Sequence, residues 1–358
     1  MTSKKKASKY IIGIDLGTTN CTLAYVKKED ESATIHQFLI PQITREGEEE
    51  ALPYLPSFIY FPLEEELKSQ GQGISWDKAR TFAVGKYAKV RGEDCPDRVI
   101  SSAKSWLCHY GIDRRKKWLP LAFERESSAL SPVDAIKEIL SHLKEAWDSS
   151  MDHPFLEQEI FITVPASFDP SAKQLVEEAA KLAGFTSQIL LEEPQAAFYS
   201  WLYRQKDNWR EKLHVGDKIL VVDIGGGTTD IAVISLGGVV RSKSLKIAGD
   251  KLNTDIISYI RNEFKILIGE KTAEEVKIAI GIVVPDDMPH EASIRGRDLV
   301  TGLPREVVLT DADIREAVSQ SINSLVESVK EVLETTPPEI MADVMHRGIY
   351  LVGGGALI

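Results

Sequence analysis

YIIGIDLGTTN at residues 10–20 and KILVVDIGGGTTD at residues 218–230 decide the fold. Each is a β-rich apolar run that ends in Asp, followed by an apolar residue, one or more glycines and a Thr-Thr pair. Each then enters a second β-rich run, CTLAYV at 21–26 and IAVISL at 231–236, so both read as strand, tight glycine turn, strand. Two copies of one supersecondary unit, roughly two hundred residues apart, imply two similar lobes.

Around these copies the chain alternates between helical and strand patterns. SPVDAIKEILSHLKEAW at 131–147 offers Ser131 as N-cap, Pro132 at the first helical position, and Ile136, Ile139, Leu140, Leu143 and Trp147 along one face. The strand IFITVPASF follows at 160–168, then a helix opened by Asp169-Pro170 and closed by Gly184, then the strand QILLEEP at 188–194. Gly237-Gly238 marks a further hairpin. A helix after Thr310 carries Ile314, Val318, Ile322, Leu325, Val329 and Leu333 in register and is stopped at Pro337-Pro338. This alternation predicts mixed sheets covered by helices. Residues 40–80, with REGEEEAL, read as an irregular, partly exposed subdomain, and residues 108–130 give no predicted element. No low-complexity linker occurs.

Composition narrows the function classes. A length of 358 residues suits two lobes, and 43% hydrophobic with 27% charged residues is the balance of a globular protein. No apolar run reaches the roughly eighteen residues of a membrane span, and MTSKKKASKY reads as a solvated basic tail. The net charge of −11 argues against a nucleic-acid partner, which requires a basic face. Three cysteines, Cys21, Cys95 and Cys108, without metal-ligand spacing, fit a reducing, cytoplasmic setting in which thiols serve as small apolar residues.

The chemistry lies in the two turns. A chain of phosphates is held by backbone N–H groups where no side chain intervenes, which Gly17 and Gly225, Gly226 and Gly227 provide. Thr18, Thr19, Thr228 and Thr229 add hydroxyls, and Asn20 adds an amide. Asp15 and Asp223, at strand ends, are placed to hold Mg²⁺ through its waters, facing one another across a cleft between the lobes. The competing reading, two ordinary hairpin turns, does not explain why the motif occurs twice. The absence of GxxxxGK[ST] and GxGxxG excludes a P-loop and a dinucleotide fold.

From about residue 10 to 230 the chain resembles the ATPase domain of DnaK-type heat-shock chaperones: IGIDLGTTN, VGKYAK, ITVPASFDPSAKQ, AAKLAGF, LLEEPQAA and DIGGGTTD occur in that family's order. The resemblance implies that Lys89 orients the attacking water and γ-phosphate and that Glu193 acts through water at the metal. Read alone, Lys89 is a surface lysine and Glu193 a helix-cap acid. From about residue 217 onward the chain resembles the bacterial actin MreB, through VVDIGGGTTDIAVISLGGVV, SKSLKIAGDKLN, LIGEKTAEEVKIAIG, IRGRDLVTGLPREVVLT and IYLVGGGALI. That resemblance implies that Gly249 and Asp250 lie close to the nucleotide, that Glu274 and Lys277 flank its ribose, and that Gly353, Gly354 and Gly355 form the adenine-side turn.

Together these resemblances imply a two-lobed actin-like ATPase fold of duplicated ribonuclease H-like lobes that binds ATP or ADP with Mg²⁺. Lobe I is expected over 1–215 with an inserted subdomain at about 39–110, and lobe II over 216–358 with an insert at about 251–309. A C-terminal closing helix, with which both families continue past GGGALI, is expected to be absent. The leading expectation is a slow ATPase switch of the chaperone type, with Lys89, Glu193, Asp15, Asp223 and Thr228 as its catalytic set and protein clients or co-chaperones as partners. The alternative is an MreB-like, filament-forming cytoskeletal ATPase whose partner is a further copy of itself. A sugar or acetate kinase ranks last, because no acceptor pocket is visible in the sequence.

Overall fold

Tyr10–Leu16 turns Tyr10, Ile12, Ile14 and Leu16 into the core and leaves Asp15 exposed, the alternation of a strand covered on one face. It pairs antiparallel with Asn20–Lys27, from Tyr10 opposite Lys27 to Leu16 opposite Cys21, and parallel with Glu159–Val164 on its other edge. Gln188–Glu192 extends the sheet beyond Glu159–Val164, again in parallel. In this computed structural model the described residues are 8–30, 32–69, 71–109, 111–121, 129–214, 216–235, 238–285 and 287–358. Most of the basic tail, Gly237 of the predicted hairpin and part of 108–130 lie outside them.

The chain divides into two compact units, Met1–Val164 with Phe168–Glu192, and Pro165–Ser167 with Glu193–Ile358. In the first, the helices Pro132–Ser150 and Pro170–Leu182 cover the sheet. Both begin where their caps dictate. Ser131 and Asp134 form a reciprocal capping box, and Asp169 accepts from the Ala172 N–H. Trp147 is fully buried among the rings of Tyr10, Tyr25, Phe38 and Phe155, and its indole N–H donates to the His153 carbonyl at 2.8 Å.

Residues 40–80 are more ordered than their sequence implies. Ile40–Arg45 and Glu48–Leu52 form a two-stranded hairpin, and Ile59–Tyr60 is paired with both Ala83–Val84 and Val99–Ile100. The strand Glu48–Leu52 is exposed almost throughout, so backbone pairing rather than a buried face holds it, and no hydrophobic alternation marks it. A buried polar cluster attaches this region to the Pro132–Ser150 helix. Arg80 reaches Glu145 at 2.6 Å and His142 Nδ1 at 3.0 Å, while His142 Nε2 lies 3.0 Å from the Pro41 carbonyl. Burial and the Arg80 guanidinium push the His142 pKa down to about 3, so the ring is neutral, accepts from Arg80 and donates to Pro41.

The second unit repeats the first one's central arrangement. Ile219–Ile224 pairs antiparallel with Thr229–Ser235 and parallel with Ile349–Val352, and Gly238–Leu245 flanks the hairpin. One sheet face, with Leu220, Val222, Ile231 and Val233, packs on Val332 and Val344 of the helices Asp311–Glu334 and Pro338–Arg347. The other, with Ile219, Val221, Ala232 and Ile234, lies under Ala197, Phe198 and Trp201 of the helix Glu193–Gln205. A separate core joins the helices Gly249–Glu263 and Glu270–Ile280 to the strands Glu291–Asp298 and Pro304–Thr310 and to Ile314 and Val318 of the long helix. Thr310 caps that long helix in a box with Asp313; the helix ends at Glu334, and Pro338 then opens the next one. Among the described residues no helix is long and apolar enough to cross a membrane.

Candidate functional site

The first glycine turn is propped by side chains. A Cβ at Gly17 would stand 2.0 Å from the Asn20 carbonyl oxygen, so this turn closes only around glycine. The Ser57 hydroxyl donates to the Gly17 carbonyl at 2.8 Å, and the Ser57 N–H donates to the Thr19 carbonyl at 2.9 Å. Cys21 sits 3.3 Å from the same hydroxyl; burial pushes its thiol up to about 11, which leaves it neutral and inert. Thr18, Thr19 and Asn20 remain half-exposed, and the exposed Asp15 carboxylate accepts from Thr163 Oγ1 at 2.9 Å.

Two lysines of this unit lie over aromatic rings. Lys89, on the helix Lys86–Asp94, places its ammonium 5.8 Å from the ring centre of Phe58, the neighbour of Ser57. Lys104 went unnoticed in the sequence because SSAKSWL carries no readable pattern, yet it is only 3% exposed, with Nζ 6.0 Å from the Phe168 ring centre. Its charge and that of Asp15 act on the Cys21 thiol in opposite directions, which places a buried cation behind the first turn.

The second turn is held by backbone. Gly225 N–H donates to the Thr228 carbonyl at 3.0 Å and closes it. The helix Gly249–Glu263 then docks by its N-terminus, Gly249 N–H on the Gly225 carbonyl at 3.1 Å and Asp250 N–H on the Gly226 carbonyl at 2.8 Å. Thr229 is buried and donates to the Ile247 carbonyl, whereas the Thr228 hydroxyl lies 3.4 Å from Asp230. Gly353 has φ +85°, and a Cβ there would lie 2.3 Å from the Ile224 carbonyl and 2.5 Å from Asp223 Oδ1. Gly355 is equally tight against the Ile224 side chain, whereas Gly354 faces open space. Asp223 and Val352 are paired across the parallel strands, so the turn 353–355 follows directly beside the carboxylate.

Glu274 and Lys277 are not a solvated surface pair. Lys277 is buried and bridges Glu274 Oε2 at 2.6 Å and the Gly249 carbonyl at 3.2 Å. Asn253, which no local sequence pattern marks, donates from Nδ2 to the same Glu274 oxygen at 2.6 Å. The second unit therefore gathers Asp223, Gly225, Gly226, Gly227, Thr228, Gly249, Asp250, Glu274, Lys277 and the 353–355 turn around one loop. Glu193 opens the helix that covers the Ile219 and Val221 face of that unit's sheet.

Two units that each set a glycine turn in a hairpin, with a third strand parallel to the hairpin's first, define the actin-like two-lobed α/β ATPase fold. Residues 127–358 match the family model described as MreB/Mbl protein, and the chain belongs to the MreB/Mbl family. It is 42% identical over 207 residues to the cell shape-determining protein Mbl of Bacillus subtilis strain 168, covering 57% of this chain and 59% of that protein. It is 38% identical over 225 residues to the cell shape-determining protein MreB of Escherichia coli strain K12, covering 62% and 61%. Among solved structures, MreB 5 of Spiroplasma citri bound to AMPPNP superposes with a TM-score of 0.68 at 26% identity, over 99% of this chain and 87% of that one. The same protein bound to ADP gives 0.67. The match thus spans about 59% of the length of the Mbl relative.

These findings correct the chaperone reading of residues 10–230. The MreB/Mbl match begins at residue 127, well inside that stretch, and the MreB structure covers 99% of the chain. The physical reason is that the quoted motifs are local requirements of the fold. IGIDLGTTN and DIGGGTTD are the two glycine-turn hairpins, ITVPASFDPSAKQ is a strand end followed by the Asp169 cap, and LLEEPQAA is a strand running into a helix. They mark the architecture and not one branch of it, and protein clients and co-chaperones lose their support together with the chaperone assignment.

Proposed function

We propose that this chain is an ATP-binding cytoskeletal protein of the MreB type that hydrolyses ATP slowly and assembles with copies of itself. The observation that carries the reading is the Gly225–Thr228 turn with a helix N-terminus hydrogen-bonded to it, in a chain of the MreB/Mbl family. The cell-shape names of its relatives, and the AMPPNP and ADP bound by the Spiroplasma citri MreB 5 structures, support it.

The residues fit a nucleotide. A Cβ at Gly17 would stand 2.0 Å from the Asn20 carbonyl oxygen and one at Gly225 3.1 Å from the Thr228 carbonyl oxygen, so backbone rather than side chains lines both turns, the form of a phosphate cradle. Magnesium-bound ATP, when present, supplies the phosphoanhydride bond and its counter-charge. Asp15, Asp223 and Glu193 would accept hydrogen bonds from the cation's waters, and Thr18, Thr19, Asn20 and Thr228 would join the turn N–H groups at the phosphates; Thr229, expected there from the sequence, is buried with its hydroxyl spent on the Ile247 carbonyl and does not take part. Gly249 and Asp250 bring the positive end of a helix dipole, Glu274 and Lys277 would hold the ribose, and Gly353 to Gly355 the adenine side. Lys89 and Lys104 supply positive charge beside the first turn. With positioning groups and no strong general base, slow turnover is expected.

The test is sedimentation of the purified chain with Mg·ATP, Mg·ADP or no nucleotide, next to phosphate release, for wild type and Asp223→Ala. Pelleting that needs ATP and is lost in the variant supports the reading. A chain that binds ATP but stays in the supernatant at every concentration overturns assembly, and one that binds no ATP overturns the whole.

A further inference from the structure

Asn253 occupies a position where the helix Gly249–Glu263 should carry an apolar side chain. Leu252, Ile256 and Ile260 of this helix are buried in the core they share with Ala273, Val276 and Ile280 of the helix Glu270–Ile280, and Asn253 is buried with them at 3% exposure. An amide in such surroundings is unfavourable unless its polar atoms are used. Its Oδ1 is buried without a hydrogen-bond partner among the described residues, so the amide is kept for its donor: Nδ2 donates to Glu274 Oε2 at 2.6 Å, and the Lys277 ammonium reaches the same oxygen at 2.6 Å. Two donors on one oxygen fix a side chain of three torsions that would otherwise sample many rotamers. Lys277 is tied further to the Gly249 carbonyl, and Gly249 N–H to the Gly225 carbonyl, so the cluster is continuous with the second glycine turn. The Glu274 side chain is 44% exposed and within reach of a solute, whereas Asn253 lies behind it.

We propose that Asn253 is a positioning residue that presents the Glu274 carboxylate to the nucleotide's ribose hydroxyls and thereby sets the preference for ATP over its deoxy analogues. The proposal rests on the placement of the ribose at Glu274 and Lys277 given under Proposed function. A carboxylate already held by two donors accepts from a hydroxyl without a further ordering penalty, and that advantage is withdrawn when one donor is removed. Asn253 does not belong to either glycine turn, so the loss falls on nucleotide selection and not on the hydrolytic step.

The experiment measures affinities for ATP, 2′-deoxy-ATP and 3′-deoxy-ATP, with kcat at saturating ATP, in wild type, Asn253→Ala and Asn253→Asp, each checked by thermal melting. Asn253→Asp keeps the side-chain volume and replaces the amide donor by a second carboxylate beside Glu274, so read at a pH where it is ionised it carries the test if the alanine variant melts early. Wild type should favour ATP over at least one analogue by about tenfold, the scale of one charge-assisted hydrogen bond. Both variants should move that ratio toward unity through weaker ATP binding, leave the analogue's affinity in place and keep kcat within about twofold. An unchanged ratio in a variant that melts like wild type overturns the proposal, and so does an equal loss of affinity for ATP and the analogues. Wild type that binds ATP and both analogues alike overturns it while leaving the nucleotide reading intact. Wild type that binds none of them overturns that reading itself.

Discussion

The two glycine turns solve one problem in opposite ways. The turn at Gly17 is propped from outside by the Ser57 hydroxyl and N–H, with Thr163 holding the adjacent Asp15. The turn at Gly225 is gripped by main chain, through the N–H groups of Gly249 and Asp250 and the close approach of Gly353. Supports made of side chains come off one atom at a time, whereas supports made of backbone yield only where a glycine is replaced. Loss of an outside support should therefore weaken the first turn by degrees, although Gly17 itself is as intolerant of a side chain as Gly353, whereas the second turn should fail nearly all-or-none.

Gly353→Ala is the sharpest test of the second half of that contrast. Positive φ and a Cβ only 2.3 Å from the Ile224 carbonyl require the 353–355 turn to move. A loss of about 3 kcal/mol or more in stability is expected, with ATP affinity down by about a hundredfold, measured by melting and nucleotide titration. An alanine variant that melts and binds like wild type would show that the main-chain grip is loose.

On the first turn, the two lysines separate burial from mere proximity. Lys104→Ala removes the buried cation behind the turn and should lower turnover about a hundredfold, as when one transition-state contact is lost, whereas Lys89→Ala should change it only a few-fold. Phosphate release at saturating ATP ranks the two, and equal losses would remove the distinction.

The first unit should also carry an acid sensitivity through the cluster that attaches its hairpin. A His142 pKa held at about 3 in the folded chain, against about 6.5 unfolded, means that the unfolded state takes up a proton first as pH falls. Stability present above about pH 6.5 is lost progressively below it, about 2 kcal/mol by pH 5. Urea titrations at pH 7 and pH 5 measure the difference, and a His142→Gln variant that shows the same pH dependence would assign it elsewhere.

The smallest expected effect is the most diagnostic of a propped turn. Ser57→Ala removes one donor to Gly17 and should weaken ATP binding by about 1 kcal/mol, roughly fivefold, without changing the fold. A loss as large as that of Gly353→Ala would make the two turns alike.

Features encoded within a few consecutive residues were legible in the sequence. Both hairpins follow from Asp, glycine and Thr-Thr between apolar runs, and three helix starts follow from Ser131, Asp169 and Thr310. Features made by distant partners were not. Lys277, named through the MreB resemblance, has no mark of burial of its own until the helix Gly249–Glu263 brings a carbonyl to it, Asn253 looks like one polar residue among many, and Lys104 has no local mark of burial. The Glu48–Leu52 strand has no mark in the sequence because its side chains face water and its order comes from the partner strand. The MreB resemblance from residue 217 onward stands, whereas the chaperone resemblance of residues 10–230 fails for a related reason. Short motifs record what the turn and cap need, and relatives with different tasks share those needs.

The helix Asp311–Glu334 has a mechanical consequence of its own. Its 24 residues make a rod about 36 Å long, capped beside the Glu291–Asp298 and Pro304–Thr310 hairpin at one end and seated through Val332 on the Ile219–Ile224 sheet at the other. A rod that is stiff on this scale acts as a lever arm. A tilt of about 5° at the sheet displaces the hairpin end by about 3 Å, so a sub-ångström adjustment of the Val332 seat is returned as a visible shift at the far edge of the same unit.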